Sequence, residues 1–263
     1  MVVLNDKSQQ TSTEFCMPSE AYLSFMQERS EKIFASVKEA AQQSGRDPQE
    51  ITLCAVSKTV DVDAVIAALR VGYTDFGENR PQELERKLGL LAGYQEYEDA
   101  PRHIWHMIGN LQTNKINHVL ACRPHLIHSI ASFELARAVA QRASVQGIVQ
   151  NVLLEVNVSG EVSKSGMTPR EINELFDAFL ELGSSLKVCG LMTMAPAGDA
   201  LLAQKTFEGL RILRDKLAQE YHTNELVHLS MGMSEDYREA IAEGATIIRL
   251  GRIVFDDCFE FIR

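Results

Sequence analysis

Short β-prone runs alternate with helical patterns along most of this chain, and that alternation limits its fold more than any other feature. Strand candidates lie at 51–57, 73–76, 103–108, 125–130, 152–158, 186–193, 226–230 and 245–250. Helical spacing separates most of them. Asp61 can cap a helix that carries Val62, Val65, Ile66 and Leu69 at i, i+3, i+4 and i+7, and Gly72 ends it. Further helical patterns run over 81–91, 114–121, 133–145 and 207–217, and Thr168-Pro169-Arg170-Glu171 joins a capping box to a proline at the first helical position. Ahead of the first strand, Ser19 can cap a helix bearing Tyr22, Met26, Ile33, Val37 and Ala40, stopped by Gly45 and Pro48.

Regular βα alternation implies a parallel sheet with right-handed crossovers. Eight such units in 263 residues fit a closed (β/α)8 barrel of the TIM type better than an open sheet. A doubly wound fold would normally place a glycine-rich turn after its first strand, whereas this strand ends in Val56-Ser57-Lys58-Thr59. The expected organisation is a polar, flexible lead over 1–18 and a single α/β barrel domain over 19–263, with the first helix as an N-terminal extension.

Charge and cysteine usage remove several function classes. The 36 acidic and 26 basic side chains leave a net charge of −10, which repels a polyphosphate backbone, so no nucleic-acid partner is expected. No basic start precedes an apolar stretch and no apolar run is long enough to span a bilayer, so the expectation is a cytoplasmic protein with no membrane partner. Cys16, Cys54, Cys122, Cys189 and Cys258 lie far apart, without CxxC spacing, which argues against disulfides and zinc. Cys54 and Cys189 sit in apolar runs and read as small core residues. His103 with His106, and His125 with His128, have HxxH spacing, but along a strand that spacing sends the two rings to opposite faces, so no metal site is expected.

In such a barrel the chemistry stands at the C-terminal ends of the strands. Reading those ends gives Lys58, then Gly77-Glu78-Asn79, His106 with Gly109-Asn110, Ser129, Asn157, Thr193, Ser230 and Arg249. An amine ending a buried strand is partly desolvated, which lowers its pKa and frees it to attack a carbonyl, so Lys58 is the candidate Schiff-base nucleophile. The loops after the last two strands are the usual phosphate site, and here they read Ser230-Met231-Gly232-Met233-Ser234 and Gly251-Arg252. Gly232 allows close backbone approach, Ser230 supplies a hydroxyl, and a helix starting near Ser234 would aim free N–H groups at an anion. A carbonyl-trapping lysine and a phosphate cradle together describe what pyridoxal 5′-phosphate needs. Arg249 between them can donate to the pyridine nitrogen and, being always charged, discourage its protonation. Lys164, in the loop after the fifth strand, can be a second amine near the mouth or a solvated charge, and the latter is the reading taken.

At these residues the sequence resembles the pyridoxal phosphate homeostasis protein family, whose fold is like the barrel domain of alanine racemase. The likeness runs through Ala55-Val56-Ser57-Lys58-Thr59, Phe76-Gly77-Glu78-Asn79, Trp105-His106-Met107-Ile108-Gly109-Asn110, Val156-Asn157-Val158-Ser159-Gly160-Glu161, Lys164-Ser165-Gly166, Gly190-Leu191-Met192-Thr193, Leu229-Ser230-Met231-Gly232-Met233-Ser234 and Ile248-Arg249-Leu250-Gly251. The resemblance implies a Schiff base on Lys58, Asn79 near the ring, Arg249 at the ring nitrogen, and phosphate contacts from Ser230, Met231, Gly232 and Gly251, with Arg252 beside them. It also implies a non-catalytic protein that buffers and delivers the cofactor, touching pyridoxal phosphate-dependent apoenzymes transiently and existing as a monomer. Arg252, Asp256 and Asn110 depart from the family pattern, and Arg252 can either pair with the phosphate or crowd it.

Two other readings stay open. A racemase-like enzyme needs acid/base groups on both faces of a substrate carbon, and none of Tyr22, Tyr73, Tyr94, Tyr97, Tyr221 and Tyr237 ends a predicted strand. The sequence ending at Arg263 also leaves no room for the second domain that brings a tyrosine in the racemases. An aldolase-type barrel would keep the lysine and trap a sugar-phosphate carbonyl instead.

Overall fold

The computed structural model describes residues 17–97, 102–161 and 164–259. Strands β1 (Thr52–Val56), β2 (Asp75–Glu78), β3 (Ile104–Met107), β4 (Leu126–Ile130), β5 (Gln150–Glu155), β6 (Leu186–Met192), β7 (His228–Ser230) and β8 (Ile247–Leu250) pair in chain order, all parallel, and β8 closes on β1. This is the expected (β/α)8 barrel. Its helices are α1 (Glu20–Gln43) before β1, then α2 (Val62–Arg70), α3 (Pro81–Tyr97), α4 (Ile116–Ala121), α5 (Phe133–Val145), α6 (Pro169–Leu180), α7 (Ala200–Glu220), α8 (Tyr237–Ala242) and α9 (Arg252–Phe255). The lead proposed for 1–18 lies outside the described residues up to position 16, as does Cys16.

The two-residue period of the strands divides their side chains between two cores. Ala55, Phe76, Trp105, Met107, Ile127, Leu154, Leu191, Leu229 and Ile248 pack outward under the helices. Cys54, Leu126, Leu153, Cys189, Met192 and Ile247 form a separate inner cluster that fills the barrel. The two cysteines are core residues as expected, and burial pushes both thiols up from the usual value.

Local chemistry sets most helix starts. Ser19, Asp61, Ser132 and Asp199 each accept a backbone N–H of the first turn that they cap, and Thr168 and Glu171 form the expected capping box ahead of Pro169. Helix α1 lies over α2, α8 and α9, covering the seam where β8 meets β1. Ser36 and the Tyr237 hydroxyl, 2.6 Å apart, join α1 to α8.

Several element boundaries shift from the pattern reading, and three of these shifts bear on the rim. β2 begins at Asp75 because Tyr73 is held at the end of α2, its N–H bonded to the Ala68 carbonyl, so Gly77 and Glu78 belong to the strand. β5 stops at Glu155 because Asn157 folds the following loop around itself, donating to the Glu161 carbonyl and accepting from the Gly160 N–H. The helix expected near Ser234 starts at Tyr237. Residues 234–236 form a turn in which the Met233 N–H meets the Asp236 carboxylate, leaving only six residues for α8.

Candidate functional site

Val56 of β1 pairs with Gly77 of β2, and two residues beyond that pair stand Lys58 and Asn79. β1 ends at Val56, so Lys58 lies in the turn after it, exposed, with no hydrogen bond or ion pair to any described residue. Lys58 is expected at the end of the first strand and partly desolvated there; it stands instead beyond β1 with its side chain exposed, where an electrophile can reach it. Half-buried Asn79 is fixed from the next strand. A Cβ on Gly109 would overlap the Asn79 backbone oxygen, so only glycine lets the loop after β3 cross there.

Under Lys58 lies a feature that the sequence reading missed. Lys87 of α3 and Glu78 of β2 form an ion pair, both side chains essentially inaccessible at 0 and 1% exposure. Lys87 also donates to the Ser57 carbonyl at 2.7 Å, and the Ser57 hydroxyl donates to Glu78 at 2.9 Å. The residue before Lys58 is thereby held at its carbonyl and its hydroxyl. A signal for this existed, because Lys87 shares the helical stripe of Leu84 and Leu91, both fully buried.

Across the rim, the loops after β7 and β8 are joined, since the Arg249 N–H donates to the Gly232 carbonyl (2.9 Å) and the Ile253 N–H to the Ser234 hydroxyl (3.3 Å). Gly232 has φ +92°, and a Cβ there would come within 2.6 Å of Ala240 Cβ. Gly251 abuts Val56, its would-be Cβ 3.4 Å from Val56 Cβ, which brings the β8 loop to the end of β1 near Lys58. The backbone N–H groups of Gly232, Ser234, Gly251 and Arg252 donate to no group among the described residues. Such clustered free N–H groups are the chemistry of an anion cradle.

Met231 and Arg252 reach these loops with their side chains engaged elsewhere. Met231 is fully buried in the outer core and its N–H serves the Ile247 carbonyl. Exposed Arg252 donates to Glu235 at 2.7 Å and lies over the Phe259 ring. Lys164 is not the free solvated charge expected: half-buried, it donates to the Ala195 and Met194 carbonyls, because the Val156–Met167 bridge folds the β5 loop toward β6.

Inside the barrel, Arg249 is 6% exposed and donates to the Ser230 hydroxyl (2.6 Å) and the Thr193 carbonyl (3.2 Å). Ser230 Oγ lies 2.8 Å from His128 Nδ1, His128 Nε2 lies 2.9 Å from His106 Nδ1, and His106 Nε2 lies 3.1 Å from Asp75 Oδ1. Burial pushes His128 well below the usual histidine value, with His106, Arg249, His228 and His125 adding to the effect. Burial would raise Asp75, but hydrogen bonds from His106 and Thr74 and the nearby histidines hold it below the usual carboxylate value. Burial lowers Arg249 from its very high ordinary value and raises the neighbouring Glu155. His106 and His128 meet across adjacent strands, not through HxxH spacing.

A closed parallel barrel with an accessible lysine at its C-terminal rim, and free N–H groups on the loops after β7 and β8, defines an alanine racemase-type barrel. The family described as alanine racemase, N-terminal domain, matches residues 29–257. The pyridoxal phosphate homeostasis protein of Aquifex aeolicus is 40% identical over 231 residues, covering 88% of this chain and 97% of that protein. That of Pseudomonas aeruginosa is 38% identical, covering 89% and 96%. Among solved structures, PipY of Synechococcus elongatus with PLP bound superposes with a TM-score of 0.70 at 31% identity, over 83% of this chain and 99% of that one. Alanine racemase of Clostridium difficile shares the fold at a TM-score of 0.64 and 15% identity, over 92% of this chain and 59% of that one. The chain belongs to the pyridoxal phosphate homeostasis protein family.

Proposed function

We propose that this protein binds pyridoxal 5′-phosphate through a Schiff base on Lys58 and acts as a non-catalytic carrier that buffers the cofactor and delivers it to apoenzymes. The observation that carries this reading is one arrangement: an exposed lysine amine, without a partner among the described residues, at the same barrel rim as the N–H groups of Gly232, Ser234, Gly251 and Arg252, which are uncommitted among those residues. Those two features fit an aldehyde and a phosphate on one ligand. When bound, the cofactor supplies a carbonyl that amines attack and a ring that draws electrons. Lys58 would hold its carbonyl carbon, Asn79 would stand beside the ring, Arg249 would face the ring nitrogen, and Ser230 and the loop N–H groups would be on the phosphate side. A guanidinium that does not give up its proton disfavours a second positive charge at that nitrogen, which suits storage better than carbanion chemistry.

The tyrosines also favour a carrier. Tyr73, Tyr94 and Tyr237 belong to the outer core and Tyr22 and Tyr221 pack against it, so none of these five offers a second acid or base at the site. Among the described residues no helix is long and apolar enough to cross a membrane. The reading taken is a cytoplasmic monomer whose barrel domain extends over 19–263, with transient apoenzyme contact as its protein partnership.

The decisive experiment adds pyridoxal 5′-phosphate to the purified protein, follows visible absorption, reduces with borohydride and maps the labelled peptide. A single adduct on Lys58, absent in Lys58→Ala, is expected. Label scattered over surface lysines, or no absorption band, overturns the reading, and steady turnover of an amino acid by the loaded protein would replace the carrier with an enzyme. An acid in place of Arg249 is expected to alter the spectrum of the bound cofactor by favouring ring-nitrogen protonation, and an unchanged spectrum would remove Arg249 from that position.

A further inference from the structure

The geometry points to a positioning chain through the barrel, in which Asp75, His106 and His128 act through Ser230 to fix the guanidinium of Arg249. The assignment rests on the reading of Arg249 as the group facing the cofactor ring, and extends it to three further side chains on β2, β3 and β4. Four contacts of 2.6, 2.8, 2.9 and 3.1 Å link Arg249, Ser230, His128, His106 and Asp75, which come from β8, β7, β4, β3 and β2.

Donor bookkeeping gives the chain a direction. Arg249 has only donors, so Ser230 Oγ accepts from it, and the single Ser230 hydrogen is left to donate to His128 Nδ1. A neutral imidazole that accepts at Nδ1 carries its hydrogen on Nε2, which donates to His106 Nδ1. By the same rule His106 donates from Nε2 to Asp75, an acceptor at both oxygens when ionised. Every hydrogen in the chain then points from the cation toward the carboxylate, and both rings are held in the Nε2–H tautomer. Thr193 fixes a second edge of the guanidinium by its carbonyl. With its hydrogen committed to His128, Ser230 serves the arginine, and the backbone N–H groups remain the phosphate donors.

The chain can be tested without cofactor. Long-range 1H–15N spectra of the full-length protein at neutral pH, assigned with His106→Gln and His128→Gln, are expected to show both rings as Nε2–H tautomers with unprotonated, hydrogen-bonded Nδ1 atoms. An Nδ1–H tautomer at either ring, or averaging between tautomers, overturns the direction of the chain.

Its action on Arg249 is read with pyridoxal 5′-phosphate bound. His128→Leu is expected to leave the adduct on Lys58 but shift its absorption and speed loss of the cofactor by about tenfold, the effect of weakening one charge-assisted hydrogen bond. His128→Gln can still accept from Ser230 and donate to His106, so it should return both readouts toward wild type. A His128→Leu protein that matches wild type, or a His128→Gln protein equally impaired, overturns the positioning role while the carrier reading stands. Absence of any Lys58 adduct in wild type removes the carrier reading, and the role assigned to Arg249 falls with it.

Discussion

Two sides of the barrel hold their charged groups in different ways. On the β1–β2 side, Lys87 and Glu78 meet directly, and the pair grips the backbone and hydroxyl of Ser57. On the β7–β8 side, the hydrogen bonds from Arg249 reach a carboxylate through Ser230, His128 and His106, ending at Asp75, while Glu155 and Asp236 act on the guanidinium through space. The direct pair uses both of its charges on each other and on a strand end, so Lys58 one residue later keeps a free amine. The relay leaves its guanidinium charged and aimed from a strand side chain. The difference teaches that this barrel fixes one candidate site residue by its backbone and the other by its side chain.

The largest expected effect breaks the first arrangement. Lys87→Met leaves Glu78 buried without its counter-ion, and chemical denaturation should show a loss of about 3–5 kcal/mol. Replacing both partners, as Glu78→Leu with Lys87→Met, removes the stranded charge and should recover most of that loss. A single variant as stable as wild type would mean that the pair does not brace the Lys58 turn.

Acid sensitivity should distinguish the relay side from the ion-pair side. The folded value of His128 lies well below 6.5, burial being the main cause, so the unfolded chain takes up the proton first. Its contribution is therefore complete above about 6.5 and erodes as pH falls, by up to about 1.4 kcal/mol per pH unit. Asp75 follows the same sign lower down, its contribution being present above the ordinary value of 3.8 and lost as pH falls through its depressed folded value. Stability measured between pH 7 and 5 should thus fall less steeply in His128→Leu than in wild type. The double Glu78→Leu, Lys87→Met variant should keep the wild-type slope, and equal slopes in all three proteins would erase the distinction.

The smallest effect concerns the rim itself. Arg252 and Glu235 form an exposed pair, with side chains 61 and 42% exposed. Arg252→Ala should change stability by less than about 1 kcal/mol, measured by thermal unfolding. It should also leave the Lys58 adduct in place, because the guanidinium is turned to Glu235; loss of the adduct would show that Arg252 neutralises the phosphate after all.

Much of this was legible before the structure. Alternation located all eight strands, and Ser19, Asp61 and Thr168 announced their helices because an N-cap is local chemistry within three residues. Lys58, Gly232, Arg249 and Gly251 stood out because strand ends and loops are readable once a barrel is assumed. The partial desolvation expected of Lys58 is absent because it depends on where β1 stops, a two-residue matter. Lys164 was misjudged because the hydrogen bonds that hold it come from the β6 loop, 30 and 31 residues away. Lys87 was overlooked, although a charge on the stripe of Leu84 and Leu91 can stay there only with a partner.

The sequence by itself determined the barrel, the order of its strands and the residues offered at its rim, because hydrophobic period, capping and turn chemistry act over a few residues. Only the tertiary structure decided which buried polar groups satisfy one another. Closure of the sheet brings His128 to Ser230 across 102 positions and Arg249 to Thr193 across 56. In a water-poor lumen each such donor must find an acceptor. No local pattern carries that pairing, since it is set by strand register and by the inward half of each strand's side chains.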